Sequence, residues 1–199
     1  MFTGIIEEIG IVQGVGPGEI TIGAETVMSD LALGQSIAID GVDLTVSALT
    51  ERSFHANVMA ETYRRSTLGS VRPGRKVNLE RAVLATTRLS GHIVRGVVEG
   101  TARVDNVSSE ADAIILRFST TSALLDYMLV KGPVAVDGAS FTVIARDETT
   151  FSVSIVSYSQ DHTTITDRRV GDLVNVETDI LARYVDAAVA RLTHGRDRQ

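Results

Sequence analysis

The stretch Asp40-Gly41-Val42-Asp43-Leu44-Thr45-Val46 returns later in the chain as Asp137-Gly138-Ala139-Ser140-Phe141-Thr142-Val143. The second copy follows the first by 97 residues, and the same offset holds without a gap as far as Glu177. A looser match, at an offset of 92 residues, pairs Phe2-Thr3-Gly4-Ile5-Ile6-Glu7 with Val94-Arg95-Gly96-Val97-Val98-Glu99. Self-similarity at a fixed offset indicates a duplicated structural unit. The chain is therefore expected to hold two copies of one small domain.

Each copy shows the alternation of apolar and polar residues that is typical of β-strands. Ser36-Ile37-Ala38-Ile39 and Pro133-Val134-Ala135-Val136 both run into an Asp-Gly turn, the strongest short-range signal for a hairpin. Short strands punctuated by glycine favour a small closed barrel, because closure leaves no exposed sheet edge. We predict an all-β protein of two tandem six-stranded Greek-key β-barrels, residues 1–88 and 89–180, with short helices.

The tail, residues 181–199, departs from this pattern. Asp179 is a plausible N-cap for a C-terminal helix. The helix would carry one apolar stripe, made of Leu181, Tyr184, Val185, Ala188 and Leu192. Such a stripe packs either on its own barrel or on the same helix of other subunits. We favour the second alternative, because the barrels are complete before the helix begins.

The composition excludes several classes of protein. The chain has 44% hydrophobic and 22% charged residues, as ordinary globular proteins do. Its net charge of −6 argues against a nucleic-acid partner, because binding to phosphates depends on clustered Lys and Arg. No apolar run is long enough to cross a membrane, and no secretory leader is evident, so we expect a cytoplasmic location. The absence of Cys excludes disulfides and thiolate chemistry.

The opening Met1-Phe2-Thr3-Gly4-Ile5-Ile6-Glu7-Glu8 resembles the start of riboflavin synthases, which are two-barrel lumazine-binding proteins. The resemblance rests equally on the two Asp-Gly motifs and on later segments. These are Met59-Ala60-Glu61-Thr62, Val77-Asn78-Leu79-Glu80-Arg81, Lys131-Gly132 and Val174-Asn175-Val176-Glu177. Together they extend in order and register from residue 1 to about residue 185.

The resemblance implies a homotrimer held together by its C-terminal helices, with each active site between the first barrel of one subunit and the second barrel of another. Two molecules of 6,7-dimethyl-8-ribityllumazine would meet there. One gives a four-carbon unit to the other, and riboflavin and a ribitylamino-pyrimidinedione result, without a metal or an added cofactor. Removal of a proton from a methyl group and addition of a nucleophile to the partner ring call for positioning and for general acid–base groups.

The resemblance also assigns residues to the site. It gives the first copy three ring-binding segments, Gly4–Ile6, Asp43–Thr45 and Asn57–Thr62, and gives the second copy the matching segments from Gly96, Ala139 and Ser154. The expected ligand-binding residues are Gly4, Ile5, Ile6, Leu44, Thr45, Met59, Glu61, Thr62, Thr67, Gly96, Val97, Val98, Lys131, Ala139, Phe141, Ser154, Val156, Tyr158, Ser159 and Thr164. The catalytic candidates are Asp43, Ser140, Asp179, Ser36 and His92.

Three positions depart from the family pattern. Asp43 stands where the family commonly has Cys, and Val97 stands where it has the second His of a double motif. The segment Ser157-Tyr158-Ser159 replaces a more usual Pro-Glu-Thr, so that Tyr158 would narrow the pocket or stack on a ring.

Two of the candidate residues, Asp43 and His92, have two interpretations each. Asp43 is either a carboxylate whose pKa partial burial raises toward proton transfer, or a turn residue that bonds only its own backbone. Val97, which matches Ile5, is expected in a barrel strand. His92 either assists in the site or packs or hydrogen-bonds at the barrel entrance. His55, His162 and His194 share no ligand spacing, so we expect no metal site.

Three functions are compatible with these residues. The chain is a riboflavin synthase in which Asp43 and neighbouring polar groups replace Cys and His, a paralogue with another reaction on a lumazine or flavin, or a non-catalytic binder similar to the fluorescent lumazine proteins. We favour lumazine chemistry, because both copies keep their ring-binding segments and because Ser140 and Asp179 are present.

Overall fold

The structure is a computed structural model that describes residues 1–196, with side chains through residue 192. It contains two closed, antiparallel six-stranded barrels, as predicted. The first has the strand order β1-β2-β5-β4-β3-β6, with β1 Glu8–Gly16, β2 Glu19–Gly23, β3 Ser36–Ile39, β4 Val42–Leu49, β5 Ser53–Asn57 and β6 Lys76–Arg81. The second has the order β10-β11-β8-β7-β12-β9, with β7 Gly100–Glu110, β8 Ala113–Ser119, β9 Pro133–Val136, β10 Ala139–Arg146, β11 Thr150–Ile155 and β12 Leu173–Thr178.

The helices are short, apart from the last one. They are α1 Ala60–Arg65, α2 Ser122–Leu125, α3 Ser157–His162 and α4 Ile180–Arg196, together with single 3-10 turns at Val27–Ser29, Thr67–Ser70 and Thr164–Asp167. The Asp179 carboxylate accepts a hydrogen bond from the Leu181 amide at 3.0 Å, as predicted for the N-cap of α4. None of the helices among the described residues is long and apolar enough to span a membrane.

The apolar stripe of α4 faces away from the barrels. Leu181, Tyr184 and Val185 are 55%, 67% and 63% exposed. The alternative that this stripe packs on its own barrel is therefore wrong for a single chain. The helix is attached through its polar side, where the Arg183 guanidinium lies 4.0 Å from the centre of the Tyr127 ring and donates to Glu99 at 2.8 Å.

The two barrels exchange short segments that precede their first strands. We call Thr3–Ile6 and Arg95–Val98 the crossing segments. Ile6 precedes β1 but is buried in the core of the second barrel, while Val98 precedes β7 and packs on the core of the first barrel. Each barrel is therefore completed by residues from the other half of the chain.

Two glycines bring the barrels into direct contact. A Cβ atom on Gly41 would lie 2.6 Å from the Gly138 nitrogen, and one on Gly138 would lie 2.7 Å from the Gly41 nitrogen. Both residues have positive φ angles, which glycine adopts without strain. Around them, the Asn78 amide donates to the Asp137 carbonyl and the Asn175 amide donates to the Asp40 carbonyl, each at 2.8 Å. The paired motifs of the sequence thus meet across an approximate twofold axis.

A buried charge cluster lies beside this axis. Asp40 and Asp137 have no solvent exposure. Arg168 contacts Asp137 at 2.6 Å and Asp40 at 3.7 Å, and Arg75 contacts Asp40 at 3.2 Å. Burial, together with the neighbouring Asp137 carboxylate, raises the pKa of Asp40 to about 7. Asp40 therefore holds a proton at pH 6 that it would not hold in the unfolded chain.

We expect the pKa of Asp40 to make the stability of the protein depend on pH. Because its folded pKa is about 7 and its reference value is 3.8, the folded state binds more protons between these values. The free energy of unfolding should therefore fall as the pH rises from about 4 to about 7. In Asp40→Asn, the side-chain oxygen can still accept from the backbone amide of Asn78. This variant should flatten the pH dependence of the free energy of unfolding, measured in urea at pH 5 and pH 8. Asp105→Asn, on the surface of β7, is the control, and an unchanged slope in Asp40→Asn would contradict the assignment.

Candidate functional site

The first candidate site is a cavity of about 590 Å³ formed by both halves of the chain. We call it the Asp43 cavity. Its walls are the start of β4, the helix α1 with its flanking residues, the second crossing segment and the first turn of α4. The residues that line it are Val42, Asp43, Met59, Glu61, Thr62, Arg65, Ser66, Gly96, Val97, Val98, Glu99 and Arg183. Its volume lies within the range of small-molecule sites.

Asp43 is held at the wall of this cavity by its backbone. Its amide donates to the carbonyl of Gly96 at 2.9 Å, so the second crossing segment lies directly against β4. Partial burial raises the pKa of the Asp43 carboxyl, and a hydrogen bond with the Ser36 side chain opposes that rise. The residue belongs to β4 and follows the Asp40-Gly41 turn, so the interpretation of Asp43 as a turn residue is wrong.

Val97 faces the same cavity. It is 51% exposed, and its amide donates to the Glu177 carboxylate at 2.9 Å. The expectation that Val97 lies in a barrel strand is wrong, because the crossing segment ends before β7 begins at Gly100. The positions of Asp43 and Val97 are therefore neighbours across the junction of the barrels, although they are far apart in the sequence.

The equivalent junction on the other side of the axis carries Ser140. Its amide donates to the carbonyl of Gly4 at 2.8 Å, which is the counterpart of the bond between Asp43 and Gly96. The Ser140 hydroxyl lies 2.7 Å from Nδ1 of His92. Burial lowers the pKa of His92, while the nearby charge of Asp179 opposes that shift. A neutral imidazole can accept the proton of a hydroxyl group that is hydrogen-bonded to it.

The structure thus brings together Ser140, His92 and Asp179, three of the five predicted catalytic residues. The bond between His92 and Ser140 is compatible with both interpretations of His92, as a group that assists in the site and as one that hydrogen-bonds at the barrel entrance. Nε2 of His92 is buried and has no hydrogen-bond partner among the described residues. Ser36, the fifth candidate, lies beside Asp43 and lines a second cavity of about 520 Å³ with Thr3 and Ile5.

The expected grouping of the ring-binding segments by copy differs from the structure. Gly96, Val97 and Val98 line the Asp43 cavity, whereas Gly4 lies against Ser140. The Asp43 cavity therefore combines two segments of the first copy with the crossing segment of the second, and on the other side the crossing segment of the first copy lies against Ser140 of the second. The physical reason is the exchange described above, since a crossing segment buries its apolar residue in the opposite barrel.

Several predicted ligand-binding residues point away from both cavities. Leu44 lies in the core of the first barrel, and Ile6, Ala139 and Phe141 lie in the core of the second, so only their backbone groups can reach a ligand. Thr67 and Thr164 are 4% and 1% exposed, and their amides donate to the Asn175 and Asn78 side chains at 2.7 and 2.8 Å. Neither Thr67 nor Thr164 lines the Asp43 cavity, and their expected role is corrected to contact between the barrels.

The other predicted residues are accessible. In the first barrel, Thr45 and Met59 are exposed, Thr62 is half-buried and Glu61 forms ion pairs with Arg64 and Arg65 at 2.6 and 2.8 Å. In the second, the ring of Tyr158 is exposed and stacks on His162 with 4.0 Å between centroids. The remaining predicted positions there are exposed at Lys131 and Val156, and half-buried at Ser154 and Ser159.

Two carboxylates that the prediction missed hold the crossing segments in place. Glu80 accepts from the amides of Thr3 and Gly4 at 2.6 and 2.9 Å, and burial raises its pKa to about 6. Glu177 accepts from the amides of Gly96 and Val97 at 2.9 Å each. The sequence repeat could have indicated this role, because Glu80 and Glu177 occupy equivalent positions in apolar strands. A carboxylate that is buried in a strand requires hydrogen-bond partners.

Comparison with known proteins identifies the family. A family model described as the lumazine binding domain matches residues 3–82 and again residues 95–179. Riboflavin synthase of Actinobacillus pleuropneumoniae is 40% identical over 94% of this chain and 88% of its own length. The chain belongs to the riboflavin synthase family. Among its relatives, riboflavin synthases of Mycobacterium bovis and Schizosaccharomyces pombe are 41% and 38% identical, over 94% and 95% of this chain and 96% and 94% of their own lengths.

The fold of the riboflavin synthase family extends to solved lumazine-protein structures. A crystal structure of LumP complexed with riboflavin superposes with a TM-score of 0.83 over 89% of this chain and 99% of that chain, at 21% identity. A second, of LumP complexed with 6,7-dimethyl-8-(1'-D-ribityl) lumazine, has a TM-score of 0.81 with the same coverage and identity. At this identity the likeness establishes the two-barrel fold. Within the described part of the chain, no group of His, Asp and Glu side chains is arranged to hold a metal ion.

Proposed function

We propose that this member of the riboflavin synthase family binds 6,7-dimethyl-8-ribityllumazine and catalyses its dismutation to riboflavin. The proposal rests above all on the Asp43 cavity, in which a carboxyl group with a raised pKa faces a space of about 590 Å³. A cavity of that size accommodates a bicyclic ring with its polyol chain. A carboxyl whose pKa is raised from its usual value suits proton transfer, because general acid–base catalysis is most efficient when the pKa approaches the working pH.

Asp43 and Ser140 are assigned different roles in this reaction. Asp43 takes the proton from the methyl group of the lumazine in its cavity. Ser140, whose hydroxyl lies 2.7 Å from the neutral imidazole of His92, passes its own hydroxyl proton to that imidazole as its oxygen adds to the ring of the second lumazine. Asp179, at the start of α4, supports the positive charge that forms on His92. The reaction that we propose needs no cofactor.

We further propose that the active site forms between subunits of a homotrimer. The exposed apolar stripe of α4 supports this assembly, because Leu181, Tyr184 and Val185 have no cover within one described chain. The Asp43 cavity of one subunit then meets the Ser140 side of another. Arg183 links the two features, because it lines the Asp43 cavity and belongs to the first turn of α4.

The test is to mix the purified chain with 6,7-dimethyl-8-ribityllumazine and to follow absorbance and product mass. We expect riboflavin and a ribitylamino-pyrimidinedione in equal amounts, from two lumazine molecules. A different product would support a paralogue with another reaction. Bound but unchanged lumazine would support a binding protein, which the replacement of a titratable His by Val97 favours. Heat-denatured protein is the control for the uncatalysed reaction.

A further inference from the structure

A separate cavity of about 350 Å³ lies at the seam between the barrels, away from the Asp43 cavity. We call it the seam cavity. Both halves of the chain contribute to its wall, through Thr67 and Arg75 from the first and through Arg103, Arg168 and Asp172 from the second. Its volume is on the order of ten times the share of one water molecule in the liquid. It is therefore large enough for a small polyatomic ion together with its waters.

The seam cavity is rich in arginine. Arg103 is exposed at the rim, where its guanidinium donates to the Gly171 carbonyl at 2.7 Å. Arg75 and Arg168 lie deeper, with side chains 25% and 10% exposed, and their guanidinium groups pair with Asp40 and Asp137 beneath the cavity. Asp172 is the one carboxylate in the described wall. When the buried carboxyl pair holds its proton, the three guanidinium groups exceed the carboxylates in charge.

The twofold symmetry of the barrels is broken at this cavity. On one side of the axis, the Thr164 hydroxyl accepts from the Arg168 guanidinium at 3.3 Å. Thr67 is the equivalent residue on the other side, but Val71 occupies the position equivalent to Arg168. The Thr67 hydroxyl, which is buried, consequently has no hydrogen-bond partner among the described residues, and neither has Nε of Arg75. Buried polar atoms in proteins almost always have a hydrogen-bond partner, so two unsatisfied ones next to one cavity point to a missing partner.

We propose that the seam cavity binds a tetrahedral oxyanion, either inorganic phosphate or the phosphate group of a small monoester. Arg103 and Arg75 supply the charge-assisted donors from opposite barrels, and the Thr67 hydroxyl supplies a neutral one. Nε of Arg75 and the Thr67 hydroxyl are closed off from solvent. The anion reaches them by rotation of the Arg75 side chain, which is a quarter exposed. A bound anion then bridges the two barrels.

Calorimetric titration with sulfate tests the site, because sulfate keeps its charge between pH 6 and pH 8. The titration is done at constant ionic strength, with chloride as the competing salt. We expect saturable binding to one site per chain, which weakens at least about tenfold in Arg103→Gln through loss of a charged donor. Arg117→Gln, an exposed arginine of the same barrel that pairs with Asp105, is the matched control and should bind as the unchanged protein does.

Two further measurements make the test sharper. Thr67→Val keeps the shape of the side chain, so it should fold and still lose several-fold in sulfate affinity. Binding should also be tighter at pH 6 than at pH 8, because Asp40, which faces Asp137, Arg75 and Arg168, then carries a proton. Equal sulfate affinity in Arg103→Gln, Arg117→Gln and Thr67→Val, or no saturable binding at all, would overturn the proposal.

The source of the phosphate group is decided by a second titration. Inorganic phosphate and glycerol 3-phosphate are compared under the same conditions. Tighter binding of the monoester identifies an esterified ligand, and tighter binding of inorganic phosphate identifies the free ion. Either result supports an oxyanion site if Arg103→Gln weakens the binding of that ligand at least about tenfold. If both bind equally in the variant and in the unchanged protein, the seam cavity is not the site.

Discussion

Asp43→Asn is expected to lower the rate of riboflavin formation by about 10²–10⁴-fold, the usual contribution of a general base. The amide occupies nearly the same space as the carboxyl but cannot take up a proton from the methyl group. The Asp43 carboxyl lies on the wall of the cavity, where partial burial raises its pKa. Lumazine affinity should stay within about tenfold, because the backbone contact with Gly96 and the shape of the cavity are kept.

Stopped-flow or steady-state absorbance measures the rate, and fluorescence titration measures the affinity. Asp105→Asn, a carboxylate on the outside of β7, is the matched control and should keep full activity. Asp43→Cys, which introduces the residue that the sequence resemblance leads us to expect at this position, should retain turnover. If Asp43→Asn were as active as the unchanged protein, Asp43 would be a structural residue of β4 and the proton would go elsewhere.

The largest expected effect on stability comes from Arg168→Met. Arg168 contacts both Asp137 and Asp40, which have no solvent exposure, so its removal leaves two buried carboxyl groups with Arg75, which contacts Asp40, as the remaining cation. Breaking a buried ion pair in this way costs about 3–5 kcal/mol. The loss should be greater at pH 8 than at pH 5, because protonation of Asp40 removes one of the unpaired charges.

Urea unfolding of both proteins at the two pH values measures this loss. Arg169→Met is the control at the adjacent position, since Arg169 is exposed and lies outside the charge cluster. Its free energy of unfolding should change little, as surface substitutions usually do. A small and pH-independent loss in Arg168→Met would show that Arg75 alone neutralises the pair.

The strands of both barrels could be predicted because the sequence repeats them. The Asp-Gly turns at Asp40 and Asp137 place the ends of β3, β4, β9 and β10 where the structure has them. Local backbone preference and apolar alternation decide these elements, and both are properties of a few consecutive residues. The N-cap at Asp179 was predictable for the same reason, because a carboxylate serves the first free amides of the helix that follows it.

The candidate site was predictable only in part. The resemblance placed Asp43, Ser140, His92 and Asp179 among the reacting groups, and the structure brings the last three together. It also assigned Thr67 and Thr164 to the ligand, although both are buried between the barrels. A threonine beside a binding segment has the same sequence pattern whether its side chain faces a cavity or a neighbouring domain, so the two cases could not be separated.

The sequence alone determined that two like barrels follow one another and which residues form their strands, because turn chemistry and periodicity act over short distances. Only the tertiary structure decided how the halves combine. Ile6 and Val98 belong to equally apolar segments, and nothing local says that each completes the opposite barrel. The contact of Gly41 with Gly138, and the hydrogen bonds from the crossing segments to Glu80 and Glu177, join groups that are far apart in the sequence. The physical reason is that two distant segments pack when their shapes fit and when the free donors of one meet acceptors of the other. Neither condition can be read from one segment alone.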